Sequence, residues 1–244
     1  MTQAKLTTKG VCVVWTAWLG EADLVIIDSR FNGPPGSGNG GYCAGLVASR
    51  VGAAAGVEVT LRKPPPLDTE LTVVDGQTLR VYAGGVLIAE ALPRAIGTDE
   101  VVPPVPLAEA EAAAATYRGF VEHPFPTCFV CGPARPDGDG LRLFPGTLPD
   151  GRTAAPFLVP DDISEVIMWA ALDCPGGWAA PLESRAYVLG RIAARVDALP
   201  DPGDPCVVMG QLITEDGRKA YTRSSVYSAT GALLGTARAT WIAL

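Results

Sequence analysis

The order of local signals between Leu24 and Arg94 returns between Thr153 and Leu244, and a repeat of that length restricts the fold more than any single motif does. In the first stretch an apolar run, LVIID, leads through the glycine-rich GPPGSGNGG of positions 33–41 into a helix-compatible YCAGLVASRVGAAAG that stops at Gly56. Strand-like segments follow, VEVTLRK, TELTVVDG, TLRVYAGG and VLIAEALPRA, punctuated by Asp75-Gly76 and Gly84-Gly85. In the second stretch TAAPFLVP precedes a helix-compatible ISEVIMWAALDCPGGWAA. The strand-like AYVLGRIAARVDAL, PCVVMGQLITEDG, KAYTRSSVYSATG and ALLGTARATWIAL come next, with turns at Asp216-Gly217 and Thr230-Gly231. Proline-rich spacing follows the second strand of each stretch, KPPPLDTEL in one and LPDPGDPC in the other. The sequence therefore reads as two diverged copies of one α+β unit, each a helix against an antiparallel sheet, over residues 1–96 and 141–244.

Residues 97–140 belong to neither copy. The alanine-rich LAEAEAAAATYRGF has strong helix propensity, and HPFPTCFVCGPARPDGDGLRLFPG, which runs on into the second copy, is crowded with Pro, Gly and Asp. The segment reads as a linker helix followed by an ordered loop. Its aromatic and cysteine content sets it apart from an idle linker, which is normally polar.

Length and charge limit what such a protein can do. Its 244 residues suffice for two domains of ordinary size, and 48% hydrophobic side chains are enough for a sizeable core. A net charge of −7 with no cluster of Lys and Arg argues against a nucleic-acid partner. No window approaches the ~20 apolar residues of a membrane span, and MTQAKLTTKGVCVVWTAW lacks the pattern of a secretory signal, so a cytoplasmic location is expected. The six cysteines are scattered, as reduced buried thiols are, and only Cys128 and Cys131 form a pair.

One helix wrapped by a long antiparallel sheet, with glycines at the helix start and hairpinned strands after it, resembles the hotdog fold of acyl-CoA thioesterases. Two copies in one chain resemble the double-hotdog members of that superfamily. In its phenylacetyl-CoA and 4-hydroxybenzoyl-CoA thioesterase-type branch the helix begins His-Gly-Gly, and an acidic residue follows about two turns later. Here the first copy has Asn39-Gly40-Gly41 but carries Ala48 or Ser49 at the acidic position. The second has Asp173 within MWAALDCP, but starts its helix with Ile163-Ser164-Glu165-Val166.

In the enzymes it resembles, each active site joins the helix N-terminus of one unit to the acid of the other, so two fused copies need retain only one of each. The resemblance thus implies one composite site between Gly40, Gly41 and Asp173. Gly41 N–H would stabilise the oxyanion of thioester hydrolysis, Asp173 would act as general base or nucleophile, and Asn39 would orient the thioester or water. The substrate implied is a small-molecule acyl thioester on coenzyme A or a carrier protein. Coenzyme A would enter only as part of that substrate, with no separate cofactor, and a homodimer is compatible with the exposed sheet edges.

Simpler readings stand beside these. Gly40 and Gly41 also suit a tight turn, and Cys-Pro-Gly-Gly after Asp173 also suits a helix end. Phe125 and Phe129 are candidates to line the acyl pocket, as is Trp169, which equally suits the core. Ser224 and Ser225 alternate across a strand, so either hydroxyl could assist the acid. His123, Cys128 and Cys131 offer three zinc ligands where a structural site normally needs four, with Asp137, Asp139 or the distant Cys174 as further candidates, so no metal is expected. A hydratase is disfavoured because the lone histidine lies in the linker, whereas a non-catalytic acyl-binding protein would carry the same fold.

Overall fold

A computed structural model describes residues 23–181 and 185–244. The signal-peptide reading of the N-terminal segment and Cys12 lie outside these residues. In chain order the elements are β1 (Asp23–Ile26), α1 (Gly40–Ala48), β2 (Val57–Leu61), β3 (Glu70–Val74), β4 (Leu79–Ala83) and β5 (Val86–Pro93). After α2 (Leu107–Ala114) come β6 (Gly146–Thr147), β7 (Thr153–Leu158), α3 (Glu165–Trp178), β8 (Tyr187–Val196), β9 (Pro205–Asp216), β10 (Lys219–Ser228) and β11 (Leu233–Ala243).

The strands form one antiparallel sheet in the order β1-β3-β4-β5-β2-β8-β11-β10-β9-β7-β6. The second half repeats the order of the first, with β7, β9, β10, β11 and β8 standing as β1, β3, β4, β5 and β2 do. The halves meet where β2 pairs with β8, from Val57 opposite Ala194 to Thr60 opposite Arg191. That seam brings the two long helices together on one face of the sheet.

Packing of α1 on α3 is close because of what their sequences leave out. After its first two residues, every residue of α3 to Trp178 is buried, so the helix has no polar face. On α1 small residues face it. A Cβ added at Gly45 would stand 2.7 Å from the Trp169 Cβ, and one at Gly41 would stand 2.4 Å from the Asp173 Cβ. The Ser164 hydroxyl caps α3 by accepting the Ile167 N–H at 3.3 Å. Ser164→Ala should cost about 1 kcal/mol in a denaturant titration, the usual value of such a cap.

One helix boundary differs from the sequence reading. The first helix stops at Ala48 rather than near Gly56. α3 continues through Cys-Pro-Gly-Gly to Trp178; Pro175 gives up one helical N–H, while its own carbonyl accepts the Ala179 N–H at 3.2 Å and the Thr153 hydroxyl at 2.8 Å. Asp173 therefore sits inside the helix and away from its last turn. Among the described residues no helix is long and apolar enough to cross a membrane.

Candidate active site

Asn39 caps α1, accepting the Tyr42 N–H on Oδ1 at 2.8 Å, which fixes its amide and leaves Nδ2 pointing at α3. There it donates to Asp173 Oδ2 at 3.3 Å, and the Gly41 N–H donates to the same oxygen at 2.9 Å. The carboxylate of one half thus docks on the helix N-terminus of the other, where free N–H groups and the positive dipole end favour a negative charge. Only glycine at position 41 permits the approach, since a Cβ would also stand 2.7 Å from the Trp169 carbonyl oxygen.

Asp173 is 2% exposed. Burial pushes its pKa up to about 7, against the lowering effect of the bonds from Gly41 and Asn39. Its other oxygen, Oδ1, is buried with no hydrogen-bond partner among the described residues. An unpaired carboxylate oxygen is costly unless a bound molecule completes it.

That molecule has a place. A cavity of about 400 Å³ opens against Asp173, Asn39 and Gly40, walled mainly by apolar groups that include Phe125, Leu189 and Trp241. Such a volume is in the range of ordinary small-molecule sites. Exposed Lys63 contributes to the lining beside Pro64 and Pro65.

The structure distributes the remaining sequence candidates. Gly41 does not line the cavity, and its N–H is already taken by Asp173; the Gly40 N–H has no partner among the described residues, and Gly40 does line the cavity. Phe125 reaches the wall. Phe129 does not: it is buried edge-on against Phe31, and its N–H donates to the Asn32 carbonyl at 2.7 Å, fastening the loop to the start of α1. Trp169 packs against Gly45. The Ser224 hydroxyl donates to the Leu172 carbonyl, while the Ser225 hydroxyl accepts the Val102 N–H at 3.0 Å, so both serve the framework outside the cavity wall.

The equivalent place on the other side of the helix pair lacks the acid and the glycine. Ala48 lies as far beyond Asn39 as Asp173 lies beyond Ser164, and Val166 stands where α1 has Gly41. No carboxylate on α1 faces the start of α3 there. The smaller cavity of about 220 Å³ at this place is lined by Ala48, Ser49, Glu165 and Trp169.

Sequence reasoning anticipated the prolines of the His123 loop, of which Pro124 lines the cavity, but missed Pro34, Pro35, Pro64, Pro65 and Lys63, because nothing local marks them as facing inward. It also set Cys174 apart from the Cys128/Cys131 pair. Next to Asp173 on α3, Cys174 comes to the same wall as that pair.

No protein-family model matches the chain, and no curated protein matches its sequence. Solved structures do share its fold. A presumed thioesterase of Novosphingobium aromaticivorans superposes with a TM-score of 0.60 at 16% identity, over 90% of this chain and 94% of the other. The TesB protein of Mycobacterium avium subspecies paratuberculosis gives 0.58 at 16% identity, over 91% and 92%. A hotdog-fold protein of unknown function from Alicyclobacillus acidocaldarius gives 0.55 at 11% identity, over 93% and 95%. The chain has the hotdog fold, shared over about 90% of its length with thioesterases and TesB-type double-hotdog proteins.

Proposed function

We propose that this protein is a thioesterase built from two fused hotdog units, hydrolysing an acyl thioester of coenzyme A or a carrier at one composite site. The observation that carries this reading is the buried Asp173 carboxylate, held by α1 through one oxygen, with the other unpaired among the described residues, in a side chain that lines the cavity. An oxygen so placed can accept a proton from water. The water oxygen then attacks the thioester carbon and the C–S bond breaks from the tetrahedral adduct, with the proton passing to the departing thiolate. The carbonyl oxygen, negative in that adduct, finds its donor in the Gly40 N–H at the helix start. The apolar wall takes the acyl group.

The test is release of free thiol from short, medium, long and aromatic acyl-CoAs. Turnover on any class, abolished by changing Asp173, supports the reading; binding without turnover across the panel means an acyl-binding protein. Lys63 bears on the carrier. Arg62, also exposed in the lining, is paired with Glu90, whereas Lys63 suits a phosphate of coenzyme A, so Lys63→Glu should raise KM for acyl-CoA several-fold. KM for a truncated thioester lacking the nucleotide should stay unchanged.

A further inference from the structure

The proposed hydrolysis leaves one part of the cavity wall unused. Cys128, Cys131 and Cys174 are buried at 4%, 4% and 6% exposure, and their sulfurs lie within 4.8 Å of one another. Two come from the loop between the halves and one from α3, so the cluster is assembled across the fold rather than by sequence adjacency.

Hydrogen-bond donors surround it. Asn39 Nδ2 lies 3.7 Å from Cys128 Sγ and 4.0 Å from Cys174 Sγ, and His123 Nε2 lies 3.4 Å from Cys131 Sγ. Donors directed at sulfur favour the thiolate over the thiol, and the thiolate is the form that binds metal.

The CFVCG turn is shaped to converge its sulfurs. Gly132 N–H returns to the Cys128 carbonyl at 2.9 Å, and a Cβ at Gly132 would stand 2.5 Å from Cys128 N, so the turn closes only with glycine. Cys-x-x-Cys at this spacing is the usual half of a zinc site. The half that the sequence lacks nearby is supplied in part by the fold, as Cys174.

We propose that Cys128, Cys131 and Cys174 form a three-thiolate site for a soft divalent ion of the zinc class, with its fourth position open to the cavity. Zn–S bonds of about 2.3 Å set sulfurs about 3.8 Å apart, so the widest gap must close by about 1 Å. His123 is not the fourth ligand in this pose. Its Nδ1 accepts the Phe125 N–H at 2.9 Å, which places the neutral ring's proton on Nε2, directed at Cys131. The fourth position then belongs to water or to a molecule in the cavity, the pattern of sites that present the ion to a ligand.

The full chain, reduced, stripped with chelator and loaded anaerobically with cobalt(II), tests this. One cobalt per chain is expected, with a sulfur-to-cobalt charge-transfer band whose intensity counts three thiolates, intense tetrahedral bands in the visible, and displacement of both by zinc. Cys174→Ser and Cys131→Ser should each weaken cobalt binding at least ~10-fold, because each removes a ligand. Cys206→Ser removes a buried thiol outside the group and should change neither band. Should either cluster variant fail to fold, the wild-type spectrum still decides. No charge-transfer band, a band too weak for three thiolates, equal loss in Cys206→Ser, or a Cys128–Cys131 disulfide that reduction converts to a protein unable to take up cobalt would each overturn the proposal.

Discussion

Replacing Asp173 with Asn is expected to lower kcat for thioester hydrolysis by at least ~10²-fold, with KM little changed. The two side chains have the same shape, and the Asn carbonyl oxygen can still accept the Gly41 N–H that now reaches Asp173 Oδ2 at 2.9 Å. What is lost is the second carboxylate oxygen, the buried and unpaired Oδ1, which an amide NH2 would replace. An amide cannot take a proton from water. Folding should survive, because a neutral group at a position 2% exposed does not carry the desolvation cost of a carboxylate. Steady-state kinetics and thermal unfolding on the same preparation check both halves. A kcat within threefold of wild type with an intact fold would remove Asp173 from the chemistry.

Gly41→Ala should damage stability and activity together. The added methyl would stand 2.4 Å from the Asp173 Cβ and 2.7 Å from the Trp169 carbonyl oxygen, and neither belongs to a flexible side-chain end. The helices must separate or α3 must shift. Overpacking of this kind costs typically 1–3 kcal/mol, which in a chain of this size lowers Tm by about 2–4 °C per kcal/mol. Any shift that relieves the clash lengthens the bond from Gly41 N–H to Asp173, so turnover should fall more than the loss of folded protein explains. Calorimetry paired with kcat distinguishes these effects. Unchanged Tm would mean that the helices are not as close as the structure has them, whereas a lowered Tm with unchanged kcat would leave Gly41 a packing residue only.

The two predictions concern one contact. Asp173 and Gly41 come from opposite halves of the chain, and each position has lost its counterpart in the other half, Ala48 for the acid and Val166 for the glycine. If either variant behaves as expected, the helix pair has a working side and a side that lacks the acid and the glycine.

Much of the fold was open to sequence reading because its causes are local. Apolar alternation and turn residues at Asp75-Gly76, Gly84-Gly85, Asp216-Gly217 and Thr230-Gly231 anticipate β2–β5 and β8–β11, and the observed strands fall within the segments so delimited. The helix start Asn39-Gly40-Gly41 and Asp173, the acid inside an apolar run, were equally visible, since a charged residue among buried neighbours is conspicuous in any window. Three things required the tertiary structure. Cys-Pro-Gly-Gly also suits a helix end by propensity, yet α3 continues past Pro175 to Trp178, every residue of that stretch being buried in the core. Ser224 and Ser225 are equivalent by alternation, and only the packing of α3 and of the segment at Val102 shows that both hydroxyls are spent on the framework. Finally, the meeting of Cys174 with Cys128 and Cys131, and of Asp173 with Gly41, depends on how two helices and a loop far apart in the chain pack at the β2–β8 seam. Periodicity records which face of an element is buried; the partner it meets there is a property of the assembled core.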